Sequence, residues 1–594
     1  MNLLSKTLTR LHRTLAMSPG VSLKDLPKSA AFTSRLPPDA AFPTPAASAA
    51  APASKLGPRL VREALYTYVR PTSCTKTPEL LAVSPAAFQS LGLSLSEAEN
   101  PEFVHLVAGN GTYEDGADEN GIYPWAQCYG GWQFGQWAGQ LGDGRAISLF
   151  EGTNPETGER YEVQLKGAGQ TPYSRFADGR AVLRSSIREF VVSEYLNSIG
   201  IPSTRALALT LLPGEQVARE RMEPCAIVTR MAQSWIRIGT FDLFRFRGDR
   251  VRLRVLSDYV RDEVLRMPKQ EGVDEQGRNR YENMYREIVR RNAKTVAMWQ
   301  VYGFMNGVLN TDNTSVLGLS LDFGPFAFMD AFDPSYTPNH DDHMLRYSFR
   351  NQPTIIWWNL TRLGEDLAEL LAVPDIDDPV FIAEGVKEAA VDELVSRAEA
   401  ILEDIGNEYK TVFLTEYKTL MAQRMGFKTC KETDMDTMFS PCLDLMQKFE
   451  LDFHHVFRRL AEVPVRGIDS ASEEDNSQLA KSFHYNSIAD QDGADQAILE
   501  FLRSYAARLA EEGVEDSDRI PAQKKLNPKF VPKNWVLDEI IQRVEKKGDR
   551  QVLKDVMKLV MRPFDDTWEG VDDAQRWCGE VPDDSRSTQC SCSS

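Results

Sequence analysis

Apolar and polar positions alternate through Tyr161, Val163 and Leu165, which predicts a half-buried strand ending on Lys166. Gly167-Ala168-Gly169 breaks it. Upstream, the apolar run Ala146 to Phe150 predicts a partner strand, entered from the glycine turn Leu141-Gly142-Asp143-Gly144-Arg145. Downstream the period changes. Ile187, Phe190, Val191, Tyr195 and Ile199 have helical spacing from Ser186 onward, and Gly200 with Pro202 stops that helix. A strand-to-hinge segment is expected over Ala226 to Ile238. Beyond it the pattern is mainly helical. Glu282 to Phe304 places Met284, Ile288, Thr295, Val296 and Trp299 on one side, and helices are also expected over 355–371, 386–405, 441–460, 497–513 and 535–560. The pattern predicts an α+β chain, strands first and helices after.

Two stretches differ in composition. Among residues 1–35, Lys6, Arg10, Arg13, Lys24, Lys28 and Arg35 face only Asp25, while Leu4, Leu8, Leu11 and Leu15 repeat at helical spacing. That is the pattern of a mitochondrial transit peptide, whose removal is expected to leave the enzyme intact. A disordered basic tail is the other reading. Residues 36–58 are rich in alanine and proline and read as a linker, and the acidic stretch 466–496 reads as a flexible segment.

A net charge of −18 argues against general nucleic-acid binding. No segment approaches the ~18 uninterrupted apolar residues of a membrane span. The eight cysteines have no zinc-site spacing.

The chemistry concentrates in Asn310-Thr311-Asp312-Asn313 and the Asp322-Phe323-Gly324 triplet beyond it. Two carboxylates and a carboxamide on one loop-strand-loop stretch suit Mg²⁺, which takes hard oxygen ligands and is often shared with substrate phosphates. In order along the chain come a glycine turn, a strand lysine (Lys166), a helix glutamate (Glu189), an aspartate-asparagine pair and Asp-Phe-Gly. This is the order of parts in a protein kinase. Each part has a plainer reading. Gly142 and Gly144 could form a hairpin turn, Lys166 could be an exposed strand end, and Glu189 could close a capping box with Ser186. The departures from a kinase also matter. There is no His-Arg-Asp triplet, Asp312 abuts Asn313, the turn lacks a third glycine, and an insertion, Gly167 to Arg184, carries Asp178 and Gly179. Arg230 and Arg237 flank the hinge segment, where arginines hold phosphate charge bidentately.

The chain resembles the selenoprotein O family. The resemblance rests on the blocks Tyr129 to Gly135, Trp137 to Arg145, Gln164 to Gly169, Thr171 to Arg175, Ala177 to Phe190, Gly307 to Asn313 and Met329 to Pro334. Trp132 and Asn306 stand where the family usually has histidine. The resemblance implies a kinase-like two-lobed fold, with a smaller β-rich lobe over 59–232, a helical lobe over 233–465 and a helical C-terminal extension over 497–594. It implies that ATP is bound end for end and that AMP is transferred to Ser, Thr or Tyr hydroxyls of proteins, with release of pyrophosphate. Gly142, Gly144, Arg145, Lys166, Asp178, Gly179, Arg230 and Arg237 are then expected to contact ATP. Glu189 would pair with Lys166, Asn313 and Asp322 would hold Mg²⁺ or Mn²⁺, and Asp312 would act as the base. In selenium-using relatives the third residue from the end is selenocysteine. Here Cys592 holds that place beside Cys590, which implies a redox role, with pairing to each other or to Cys430, Cys442 or Cys578. The expected address is the mitochondrial matrix and the expected partners are protein substrates. A conventional kinase and a catalytically silent nucleotide-binding scaffold remain as alternatives.

Overall fold

A computed structural model describes residues 20–111, 122–485, 487–582, 585–586 and 589. The first half of the chain supplies strands β1 (Tyr66–Tyr68), β2 (Glu79–Val83), β3 (Trp125–Tyr129), β4 (Ala146–Thr153) and β5 (Arg160–Lys166). Helix α1 (Leu183–Ser198) comes next, then β6 (Arg205–Ala218) and β7 (Met222–Ala232). They form the body of a ten-stranded sheet in the order β1-β3-β4-β5-β7-β6-β2, with three short strands off this path. Its pairings are antiparallel, and β4 and β5 are joined by a short turn, as their sequence adjacency favours. The register places Lys166 opposite Ala146 on one side and Val228 on the other, with Gln164 opposite Arg230. Because side chains alternate, Glu162, Gln164 and Lys166 share one face, while Val163 and Leu165 enter the core on the other.

The rest of the chain is mainly helical. Its main helices are α2 (Ile238–Phe246), α3 (Arg280–Val301), α4 (Gln352–Asp366), α5 (Val391–Arg424), α6 (Gln491–Glu511), α7 (Asn534–Lys547) and α8 (Gln551–Met561). Helix α5 packs along α3, and α7 and α8 return to pack on α1. The helix expected over 441–460 is two, Ser440–Lys448 and Phe453–Leu460, separated where Glu450 takes a positive φ of 52° and Asp452 caps the second. The pattern over 535–560 likewise divides, because Gly548 ends α7 in the left-handed conformation. Among the described residues, no helix is long and apolar enough to cross a membrane.

Residues 20–58, expected as the end of a leader and a linker, pack against the sheet. Leu23, Leu26, Phe32 and Leu36 are buried, and Lys28–Ser29 pairs with β4. Phe32 stacks on Trp125 at 5.8 Å. Residues 45–50 form a helix capped by Thr44, and Ser48 donates to the Tyr68 carbonyl at 2.7 Å. The basic count of this segment is compatible with folding because Lys28 is held by the carbonyls of Leu23 and Leu26. The rest of the leader expectation, residues 1–19, lies outside the described residues. The described residues of the acidic stretch 466–496 are also structured. Its acids sit at helix starts, Glu473, Glu474 and Asp475 in the first turn of a helix capped by Ser472 and Asp490 as the cap of α6, and Asp495 binds His484 at 2.8 Å.

Candidate active site

Lys166 leaves the end of β5 and meets Glu189, in the second turn of α1, at 2.5 Å between Nζ and Oε2. Arg230 of β7 takes the other carboxylate oxygen at 3.0 Å and donates twice to Gln164 Oε1, at 2.9 and 2.7 Å. One buried carboxylate therefore orders two cations on one sheet face. Burial lowers the Lys166 pKa from its ordinary value, although Glu189 and Asp322 oppose this. Glu189 would be raised by burial, but Lys166 and Arg230 hold it below the ordinary carboxylate range. Helix α1 begins at Leu183, so Ser186 lies inside it and Val182 occupies the cap position. The capping box is absent, and Glu189 is an ion-pair residue.

These groups open onto a cleft of about 270 Å³. Gly142, Gly144 and Arg145 form one wall, and Lys166 and Arg230 line it from the sheet. Gly179, Arg237 and Asp322 complete it. Gly179 has φ +76°, and a Cβ there would lie 2.2 Å from the Gly169 carbonyl carbon, so only glycine fits. Asp178 stands apart from the other predicted residues. Its carboxylate is held by Arg219 at 2.7 and 3.0 Å and turned to the rim.

Asp322 is half-buried, with a left-handed φ of 62° and Oδ1 3.6 Å from Lys166 Nζ. Burial would raise its pKa, but Lys166, Arg237, Arg230 and Arg145 draw it down to about 2. It is an anion facing four cations. Asp312 and Asn313 lie on a tight turn, Thr311–Asn313, beside the cleft and outside its immediate lining. Arg237 joins the two regions, donating to the Asp312 carbonyl at 3.0 Å and to Tyr129 Oη at 2.8 Å. Gln133 Nε2 donates to Asp312 Oδ2 at 3.1 Å, while Oδ1 is buried with no donor among the described residues. Burial pushes Asp312 up to about 7, against the Gln133 hydrogen bond and Arg237.

Asn313 donates through Nδ2 to the Val308 carbonyl at 3.1 Å, and its Oδ1 is buried with no donor among the described residues. A buried carboxamide oxygen left open in this way is the kind of hard acceptor a divalent cation takes. Among the described residues no group of three or more His, Cys, Asp or Glu is placed to hold a metal. A cation here would depend on substrate oxygens for the rest of its shell, as Mg²⁺ commonly does.

Several further residues of the site carry little or no signal in the sequence. Gln133, Tyr129, Asp143 and Gln164 all touch predicted residues. Gln164 is recoverable, since it precedes Lys166 by two on the same strand face. Asp143 accepts from the Gln127 amide at 3.0 Å and faces Arg237 at 3.8 Å, a turn-in no local pattern signals. Trp132 donates its amide to Thr311 Oγ1 at 2.8 Å. Asn306 bonds the Leu321 carbonyl at 3.1 Å, so it ties the approach to Asp312 to the approach to Asp322. Cys590 and Cys592 lie outside the described residues. Of the body cysteines, Cys430 is exposed, Cys578 is partly exposed and Cys442 is buried.

A family model described as protein adenylyltransferase SelO matches residues 57–561. The chain is similar to the mitochondrial protein adenylyltransferase SelO of Schizosaccharomyces pombe, 44% identical over 96% of this chain and 99% of that one. It is 36% identical to the Saccharomyces cerevisiae protein of the same description, over 86% of this chain and 87% of that one. It is also 37% identical to the protein nucleotidyltransferase YdiU of Xanthomonas campestris, over 86% and 91% of the two chains. Together with the lysine-glutamate pair and the Asp312–Asp322 region, these matches establish that the chain belongs to the SelO family of protein adenylyltransferases.

Proposed function

We propose that the cleft between the glycine turn and Asp322 holds ATP in a two-lobed, kinase-like body, with the α-phosphate toward Asp312. AMP passes to a Ser, Thr or Tyr hydroxyl of a protein substrate and pyrophosphate leaves. The observation that carries this reading is Lys166 and Arg230 held on one buried carboxylate at the cleft wall. Such an arrangement fixes positive charge before the substrate arrives, and preorganised charge is commonly the largest catalytic term.

The roles follow from position. Lys166, Arg145, Arg230 and Arg237 neutralise phosphate oxygens, and the Gly142 and Gly144 wall lets the nucleotide approach backbone. Gly179 keeps the insertion against the cleft, and Asp178 anchors its rim through Arg219. Asn313 and Asp322 would hold Mg²⁺ or Mn²⁺, which when bound offsets charge on the phosphates. Asp312 takes the hydroxyl proton through its open Oδ1 while Gln133 and Arg237 fix its orientation, as a base within hydrogen-bond reach requires. The mitochondrial descriptions of the yeast relatives support a mitochondrial address, and we place the protein in the matrix with a role in redox homeostasis. Intact-mass spectrometry of a labelled acceptor tests the reading, since a nucleotide adduct supports it and a phosphate adduct contradicts it.

A further inference from the structure

A small hairpin lies directly over the Asp312 turn. Its strands are Trp132–Gln133 and Gln136–Trp137, and its tip is Phe134 (φ 51°) and Gly135 (φ 78°). Each of its first three residues is fastened to the loop below. Trp132 binds Thr311, Gln133 binds Asp312, and the Phe134 amide donates to Asn310 Oδ1 at 3.3 Å and Tyr347 Oη at 2.9 Å. Tyr347 in turn donates to Asn310 Oδ1 at 2.5 Å. A second loop, Met344-Leu345-Arg346, meets the hairpin here, with the Phe134 and Tyr347 rings 5.0 Å apart. A Cβ on Gly135 would lie 3.5 Å from the Arg346 guanidinium.

The side chains at this junction face solvent. Phe134 is 40% exposed, Met344 88% and Leu345 40%. Isolated exposed apolar residues are ordinary, but these three stand on two touching loops beside the reacting carboxylate. Phe134 and Leu345 are also held at positive φ (51° and 54°), a conformation that bulky residues rarely adopt. Arg346 lies 4.9 Å from the Trp358 ring and 5.9 Å from that of Tyr347. No carboxylate forms an ion pair with Arg346 among the described residues, in a chain whose net charge is −18. A cation on aromatic rings beside Phe and Met has the composition of a protein-binding centre.

We propose that this rim docks the acceptor polypeptide, seating an apolar side chain on Phe134 and Met344 and an acidic side chain on Arg346. The proposal rests on the reading of Asp312 as the acceptor-side base. The occupant follows from continuity and charge. The surface is fastened to the loop that carries Asp312. A Cβ on Gly131 would sit 2.6 Å from Asp312 Oδ1, so glycine is what lets the hairpin pack this closely on the carboxylate without blocking its unpaired oxygen. The Arg346 guanidinium then selects the acidic flank.

The test uses the full-length enzyme and a positional-scanning library of fluorescent peptides, each with one Ser, Thr or Tyr. Binding is read by anisotropy and transfer by α-labelled ATP. Wild type should favour peptides with an apolar and an acidic residue near the hydroxyl. Arg346→Glu should shift the acidic-over-basic preference by about fivefold, the upper scale of one exposed charge pair. Phe134→Asn with Met344→Ser, Asn being tolerant of positive φ, should weaken peptide binding while ATP affinity stays unchanged. Unaltered flank preference in Arg346→Glu would overturn the proposal. So would a change in oligomeric state of the double variant with peptide binding intact, which would make the rim a contact between copies. Selective peptide binding without α-label transfer would uphold the surface and overturn the transfer reading.

Discussion

Lys166 Nζ and Glu189 Oε2 stand 2.5 Å apart, and Arg230 holds the other oxygen of the same carboxylate at 3.0 Å. The sheet register and α1 therefore share one electrostatic joint, and the cleft's positive charge depends on a single buried anion. A buried pair that loses one partner leaves an uncompensated charge, which costs far more than an exposed pair.

Glu189→Ala should therefore lower stability by about 3 kcal/mol or more. It should also lower turnover, and saturating ATP should restore part of the lost stability, because bound phosphate takes up the freed cations. Thermal melting with and without ATP measures both. A melting point equal to wild type without ATP would contradict the joint.

Asp312 and Asp322 should separate in kinetics. Asp312→Asn should lower kcat by about a hundredfold or more, with little change in KM for ATP, since its interaction belongs to the transition state. Asp322→Asn preserves the left-handed backbone and should abolish Mg²⁺-dependent transfer while leaving the fold intact. Near-normal activity of a folded Asp322→Asn enzyme would remove the metal assignment, and weakened ATP binding at unchanged kcat would make Asp312 a binding residue.

Truncation distinguishes a leader from a structural segment. Deleting residues 1–19 serves as the control. Deleting residues 1–35 removes the strand paired to β4 and the buried Leu23, Leu26 and Phe32, each contributing about 1.5–3 kcal/mol through burial. The longer deletion should yield unfolded or aggregated protein, and a stable, active 36–594 fragment would contradict the packing.

Glu162 gives a pH signature. It accepts from Ser148 Oγ at 2.6 Å and Gln127 Nε2 at 3.1 Å inside the sheet, and burial raises its pKa to about 8. The folded chain then keeps a proton that the unfolded chain releases, so stability falls as pH rises from about 5 to 8. Glu162→Gln should remove this component, on the order of 4 kcal/mol at pH 8. Parallel pH dependence of melting in wild type and variant would refute the assignment.

Strands β4 and β5, helix α1 and the Asn310–Asn313 and Asp322 loops were legible because each is encoded locally, by period, glycine breaks and residue chemistry. The N-terminal boundary was not. The partners of this segment lie far along the chain, with Trp125 stacked on Phe32 and Glu97 accepting from the Leu23 amide, and its basic residues mimic a leader. Asp178 belongs to a matching block, but its rim position depends on Arg219, in the turn between β6 and β7. Gln133 also lies within a matching block, yet its bond to Asp312 spans the two halves of the fold and has no sequence period to reveal it.

The most direct measurement is parallel incubation of enzyme, Mg²⁺ and acceptor protein with α-labelled and with γ-labelled ATP. Label is expected on the acceptor from the α-position only, with pyrophosphate released and the signal lost in Asp312→Asn. Label from the γ-position would contradict it.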